Sequence, residues 1–274
     1  IGWVARRQTT RRPSRRRGAV GAVIAIALVL GIWTIASASH WWSDILLPSP
    51  AKVWHAFIQS VTIHDGHKGL SDAYLWQHLW ASLWRILNGL FWGIVVGIPV
   101  GVGLGLWRPF ELVAEPLVNF LRSLPPLGYF SLLIIWFGIG ETSKVFLIMY
   151  TTVFIVIINT AAGVSAVAPN KIRAARSLGA GPGQVFFFVA LPATVPYILT
   201  GMRLAMANSF VTIVAAELVA ANNGLGRMIW DSRMYMLVDQ IFVALVVLGL
   251  LGFTADRLFR WGIYAFAGRF SPVT

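Results

Sequence analysis

Between Ala205 and Glu217 the run AMANSFVTIVAAE carries the few side chains able to do polar chemistry inside an apolar stretch. Ala205, Asn208, Ser209, Thr212, Ala215 and Ala216 fall at i, i+3, i+4, i+7, i+10 and i+11, so small and polar residues share one face of a helix. Amide and hydroxyl groups on such a face either line the path of a polar solute or form a seam against another helix. Both readings stay open for Asn208, Ser209 and Thr212. Glu217, some 20 residues from the start of that span, is a carboxylate placed toward its outer end. It reads either as a gate of the path or as an anchor hydrogen-bonded to the following ANNGLG turn.

Other candidates carry less. His64 and His67 stand three apart, a spacing that could touch a metal, but the DG between them and the KG after them predict a solvated turn. Glu111 and Glu115 are paired carboxylates in an amphipathic segment, where solvation or basic neighbours account for them. No Ser/His/Asp constellation follows from spacing, and with no cysteine there is no disulfide, thiolate metal site or Cys nucleophile. G-x-x-x-x-G-K-[ST] occurs nowhere, so the chain is not itself a nucleotide engine, and GVGLG in residues 101–105 lacks the strand-turn-helix setting of a phosphate loop.

The elements that hold these residues are membrane spans. Of 274 residues, 57% are hydrophobic and 12% charged, and the mean hydropathy is +0.73. Uncharged runs at residues 18–43, 86–107, 123–140 and 145–170 each approach the roughly 20 residues needed to cross hydrocarbon. Two further spans, residues 197–221 and 240–264, are interrupted by Arg203 and Glu217, and by Asp256, Arg257 and Arg260. The expected fold is an all-α membrane protein with six transmembrane helices.

The net charge of +12 is not a nucleic-acid signature once the basic residues are set against those spans. Seven arginines lie in residues 6–17. With that arm cytoplasmic, alternation places sixteen Lys/Arg inside and six outside, namely Lys52, Lys68, Arg85, Lys144, Arg227 and Arg233. Asp44, Asp65, Asp72, Glu141, Asp231 and Asp239 balance those six. The excess then sits on the cytoplasmic face, as positive-inside orientation requires, and anionic headgroups are the partner of the arm. Both termini are expected in the cytoplasm. The arm, the apolar run and Ala36-Ser37-Ala38 also look like a signal peptide with its cleavage site, but the run is longer than a usual h-region. A start at Ile1 points to a few missing residues before it.

The organisation read from these features is a basic arm (1–17), a first span (18–43), a periplasmic segment with a short amphipathic helix in LPSPAKVWHAFIQS (44–74), and a five-helix core (75–270). Trp41, Trp42 and Trp54 suit the interface. In span two, Leu75, Leu79, Leu83 and Leu87 repeat every four residues, and Gly97, Gly101 and Gly105, also four apart, permit close approach of another helix. Pro116, Pro125 and Pro126 kink or restart the chain before span three. FGIGETSK is a tight external turn.

Within the core, residues 164–196 form one substantial cytoplasmic loop. PNKIRAARSLGAGPG reads as a short helix from Asn170 to Leu178 ended by glycine, with Arg173 and Arg176 on one face and Ile172, Ala175 and Leu178 free to meet the bundle or a partner. QVFFFVALP reads as a second short helix stopped by Pro192.

Here the residues resemble a family. Ala174-Ala175, three residues, Gly179, nine residues, Val189, one residue and Leu191-Pro192 match the EAA motif of permease subunits of ABC importers; Arg173 stands where the usual Glu would be. WQHLWASLWRI, RSLPPLGYFSLLIIWFGIGETSK and AAELVAANNGLGRMI extend the likeness over residues 75–270. Together they look most like the taurine/sulfonate branch, which also holds nitrate, bicarbonate and aromatic-acid permeases. The resemblance implies a type I (MetI-like) permease fold, with Arg173, Ala174, Ala175, Arg176, Gly179, Leu191 and Pro192 as a coupling element docked on a cytoplasmic ATPase dimer. It implies a second copy of the chain, a periplasmic solute-binding protein, an inner-membrane location, and no cofactor of its own, ATP and Mg²⁺ belonging to the ATPase. Asn208, Ser209, Thr212 and Glu217 are then the candidate translocation path. The alternative that the loop merely packs on the bundle stands beside this reading. An ion-coupled secondary transporter is disfavoured, because only Glu217 is available as an intramembrane ionisable group and no repeat is visible. A membrane-embedded enzyme lacks a clustered constellation.

Overall fold

The computed structural model describes residues 15–267 except 40, 42, 44, 65–66 and 69–72. Most of the basic arm, Arg269, and Asp44, Asp65 and Asp72 lie outside the described residues.

The helices are α1 (Arg15–Ala38), α2 (Pro50–Val61), α3 (Leu75–Leu106), α4 (Arg108–Ser123), α5 (Pro126–Phe137), α6 (Glu141–Ser165), α7 (Pro169–Ser177), α8 (Pro182–Val185), α9 (Leu191–Ala220), α10 (Leu225–Met234) and α11 (Val238–Ala267). A π-helical turn, Phe186–Ala190, joins α8 to α9. Among the described residues the β structure is one ribbon of two-residue strands, β1 (Ile63–His64) and β2 (His67–Lys68), in which His64 faces His67 across the pair. The side chains of these two histidines are outside what is described.

Four segments are long and apolar enough to cross a membrane: Leu75–Leu106, Glu141–Ser165, Pro182–Ala220 and Val238–Ile263. A fifth is the pair α4 and α5, bent by 93°. Of α1, the described apolar part, Val23–Ala38, is shorter than a full crossing. The third span expected at residues 123–140 is therefore not one continuous helix. Leu124 (φ −68°, ψ 131°) and Pro125 (φ −64°, ψ 128°) are extended, because a residue before proline is pushed out of the helical region. That leaves α5 with 12 residues, about 18 Å of helix, set at an elbow to the amphipathic α4.

The chain alternates between two ends of the bundle. The ribbon end carries α2, the ribbon and α10. The elbow end carries α7 and the start of α4, and the α4–α5 bend itself is set partway along α6, where the Tyr150 hydroxyl reaches the Leu121 carbonyl. At the ribbon end, the Ser49 hydroxyl caps α2 by accepting the Lys52 N–H at 3.3 Å. The apolar side of α2, Val53 and Ala56, packs with Leu225, Met228, Val243 and Ala244. Trp33 of α1 stacks on Phe242 and donates to the Pro48 carbonyl at 3.1 Å. The rest of the α1 side chains described are largely exposed, as a lipid-facing helix requires.

The core of the bundle is α3, α6 and α9. The helices α3 and α6 run parallel and touch along a line of glycines. A Cβ added at Gly89, Gly93, Gly97, Gly101 or Gly105 would come within 2.4–2.8 Å of side-chain carbons of Ile148, Thr152, Val156, Thr160 or Val164. Each pair is separated by the same interval in the sequence. The close approach expected from Gly97, Gly101 and Gly105 is present, and Gly89 and Gly93 extend it. Running antiparallel to α6, α9 brings Gly201 against Asn159, while Thr194 and Tyr197 close over Gly163.

One further expectation fails. Pro192 does not stop a short helix: α8, the π-turn and α9 form one 39-residue span, Pro182–Ala220. The wider π-turn ahead of Pro192 loosens the ladder where a proline has no N–H to give and where its ring would crowd the carbonyl four residues back.

Candidate functional site

One face of α3 changes character along its length. His78, Ser82 and Arg85 lead into Gly89, Gly93, Gly97, Gly101 and Gly105 at steps of four, three, then four throughout. The glycine half packs on α6; the polar half faces the ribbon ends of α9 and α10. There Arg85 is 1% exposed, Glu217 and Ser82 are fully buried and His78 is 2% exposed.

Arg85 is the hub. Its Nη1 donates to Glu217 Oε1 at 2.6 Å and to the Asn223 carbonyl at 2.8 Å. Its Nε donates to Glu141, and Nη2 to Glu141 Oε1 at 2.7 Å and to the Asn223 side chain. Lys144, buried one turn into α6, donates to Glu141 Oε1 at 3.3 Å and the Gly140 carbonyl at 3.2 Å. Two buried cations thus meet one buried carboxylate, Glu217, and one solvent-facing carboxylate, Glu141, and this pairing is the condition under which charge can be buried. Arg85 and Lys144, counted among the outside charges, stand at the ribbon end with their side chains buried.

Glu217 accepts from three donors. Besides Arg85 these are the Ser82 hydroxyl at 2.8 and 2.9 Å and the Gly226 N–H at 2.9 Å. Ser82 Oγ in turn accepts the Leu225 N–H at 2.9 Å, and His78 Nδ1 accepts the Gly224 N–H at 3.0 Å. The N-terminus of α10 is therefore satisfied by side chains of α3 and α9. Gly224 has φ +125°, and a Cβ there would lie 2.3 Å from the Glu217 carboxyl carbon, so glycine is required twice over. This geometry favours the anchor reading of Glu217.

Asn208 and Glu217 do not share a wall. Nine residues at about 100° each place them on opposite sides of α9. Ala205, Ser209, Thr212 and Ala216 are buried, and Ser209 Oγ donates back to the Ala205 carbonyl at 2.8 Å. For these the packing seam is the geometry observed. Asn208 alone of the four candidates opens onto a cavity, of about 510 Å³, between the elbow, α6 and α9. Its amide donates to Thr212 Oγ1 at 3.3 Å.

At the elbow end α7 stands clear of the bundle. None of its residues is buried, and Leu178, just after it, is 90% exposed. Arg173 donates to Asn170 Oδ1 at 2.7 Å, bracing the helix within itself. Gly179 adopts φ +85°, the left-handed conformation that ends a helix, and the Ala180 N–H closes on the Ala175 carbonyl at 3.1 Å. Arg173, Ala174, Ala175, Arg176 and Gly179 thus lie together on this protrusion, while Leu191 and Pro192 lie at its junction with α9.

Spacing could not pair Arg85 with Glu141 and Glu217, which lie 56 and 132 residues away. A signal existed nonetheless: His78, Ser82 and Arg85 recur on the glycine face of α3.

A bundle of broken and long apolar helices, with a self-braced helix projecting from one end, defines a multi-span membrane protein. Residues 93–263 match the family described as binding-protein-dependent transport system inner membrane component, and the chain belongs to that family. The taurine transport system permease protein TauC of Escherichia coli K12 is 37% identical over 247 residues, 90% of this chain and 87% of that protein. The putative aliphatic sulfonates transport permease protein SsuC of the same organism is 35% identical over 83% of each chain. In fold, the chain is similar to a chain of the MetNI methionine ABC transporter in an inward-facing conformation, with TM-score 0.56 and 22% identity, covering 68% of this chain and 94% of that one. The fold is thus that of a MetI-like type I importer permease. The family consists of multi-pass inner-membrane transport subunits, not enzymes, that act with an ATPase and a binding protein.

Proposed function

We propose that this permease imports a small organic anion or zwitterion, taurine or another sulfonate, as a homodimer that opens alternately to the two sides of the membrane. The substrate assignment rests on its likeness to the taurine and aliphatic-sulfonate permeases. The observation that carries the mechanism is α7, a short helix without buried residues held out from the bundle and joined through Gly179 and the π-turn to the long α9.

In this reading α7 is the coupling helix. Small Ala174 and Ala175 admit a close partner surface, and Arg173 and Arg176 supply cations to it. Closure of the ATPase pair displaces α7, and the continuous 39-residue span carries the displacement to the ribbon end. There Glu217, Arg85 and Glu141 hold α10 and the α5–α6 turn as one external face for the binding protein. Both termini are cytoplasmic: the elbow end carries Arg108, Lys171, Arg173, Arg176, Arg203, Arg257 and Arg260, whereas at the ribbon end Arg85 and Lys144 are paired with Glu217 and Glu141, and Arg227 with Asp231. The part of the path this protomer contributes is the cavity beside Asn208.

The test is uptake of radiolabelled taurine into proteoliposomes holding the permease, its ATPase and its binding protein. Accumulation that requires both partners and ATP is expected; ATP-independent accumulation driven by an ion gradient would replace this reading with a secondary carrier.

A further inference from the structure

The cavity at the elbow holds groups that the coupling mechanism leaves unused. It is lined on one side by Arg122, in the last turn of α4, and Tyr129, in the first turn of α5; on the other by Asn159 of α6 and Asn208 of α9; and Phe154 and Leu204 form apolar wall between them. No carboxylate lines it, and Arg122 makes no ion pair among the described residues. The Tyr129 ring lies 4.3 Å from that of Tyr150, tilted to it by 53°, and the Tyr150 hydroxyl donates to the Leu121 carbonyl at 3.2 Å. The Tyr129 hydroxyl is buried and has no hydrogen-bond partner among the described residues.

A buried phenol without a partner is unusual in a folded protein, and it is most readily satisfied by a ligand acceptor. Arg122, an exposed residue lining the same cavity, carries a guanidinium with five donors and no acceptor, uncompensated by any acid among the described residues. Asn159 and Asn208 each spend one amide proton internally, on the Ile155 carbonyl and Thr212 Oγ1, and retain the other. Donors therefore predominate among the polar groups, with one net positive charge, and carbon surface fills the rest. We propose that this cavity is a binding subsite for a small organic monoanion, an alkanesulfonate, whose acceptor-only head group meets Arg122 and the Tyr129 hydroxyl while its alkyl tail lies against Phe154 and Leu204. A head group of three oxygens offers one to each donor; the short tail removes apolar wall from water. Its volume of about 510 Å³ leaves room for such a molecule.

The inference rests on the sulfonate-import reading but fails separately from it. The probe is radiolabelled ethanesulfonate, measured by equilibrium dialysis on the permease–ATPase complex in nanodiscs without the binding protein. Saturable binding is expected, not displaced by ethylammonium, weakened at least tenfold by Arg122→Gln and several-fold by Tyr129→Phe, which removes one oxygen and leaves the ring contact with Tyr150. Variant complexes that elute intact by size exclusion and melt at the wild-type temperature exclude misfolding. Absence of saturable binding to the wild type, equal binding by both variants, or nitrate binding as tightly as ethanesulfonate would overturn the subsite. ATP-driven sulfonate uptake persisting alongside any of those results would leave the permease function standing; loss of all such uptake in the wild type would remove the parent reading instead.

Discussion

Arg85 Nη1 lies 2.6 Å from Glu217 Oε1, with both side chains out of solvent and 132 residues between them in the chain. Removing one partner of a buried pair leaves the other uncompensated, at a cost of about 3–5 kcal/mol. Glu217→Ala and Arg85→Ala are therefore each expected to lower the thermal stability of the detergent-solubilised permease strongly, and their double variant to lose less than the sum. Glu217→Gln, which keeps an acceptor for Ser82 or Gly226, should fall between wild type and Glu217→Ala. Transport that loses its control in Glu217→Gln without any loss of stability would restore the gate reading.

Gly93→Leu or Gly97→Leu should prevent assembly, since even a Cβ there falls within 2.4–2.8 Å of Thr152 or Val156. Smaller Ala substitutions cost about 1–3 kcal/mol by overpacking. Gly249→Ala in α11, where nothing lies within 4 Å of the new Cβ, is the matched control and should fold normally. Monodispersity on size exclusion distinguishes them.

Gly179→Pro, or Trp in place of Ala175, should abolish solute-stimulated ATP hydrolysis while the membrane bundle remains assembled. The first cannot hold φ +85°, and the second adds bulk on a helix presumed by the coupling reading to dock closely. Normal stimulation in both variants would detach α7 from the coupling role.

With no native cysteine, a single Cys at Leu178 reports orientation directly. Its 90% exposure makes it reactive, and an impermeant maleimide should label it in inverted vesicles and not in intact cells. Labelling from outside intact cells would reverse the topology.

Asn208→Leu and Ser209→Leu separate the two sides of α9. The first fills a cavity and should reduce uptake more than tenfold in an assembled complex; the second enters a fully buried contact and should lower the yield of folded protein. Equal uptake by Asn208→Leu and wild type would place the path elsewhere.

Much of this was legible in the residues. Local chemistry marked α2, the α7 helix ending before Gly179, and the prolines of the elbow; the four-residue glycine spacing marked a close helix contact on α3 without naming its partner, which is α6. Two kinds of feature were not legible. The first needs tertiary partners: nothing near Arg85 in sequence reveals that Glu141 and Glu217 neutralise it, and hydropathy counted it with the loops. The second needs backbone detail: periodicity alone treats Asn208, Ser209 and Thr212 as one stripe, although the cavity meets only Asn208, and a proline reads as a stop unless the π-turn preceding it is known. The same limit applies to Ser123–Gly140, whose hydropathy fits a span while Leu124 and Pro125 turn it through a right angle.

The constant interval across the glycine seam bears on how such a chain tolerates length changes. One residue inserted within 89–105 or 148–164 would rotate everything beyond it by about 100° and turn the remaining glycines away from their partners. Insertions at the Leu124–Pro125 bend or in residues 138–140 leave that register intact. Natural length variation in this lineage should therefore collect at the elbow and the Gly138–Gly140 turn, and leave the two paired stretches free of gaps.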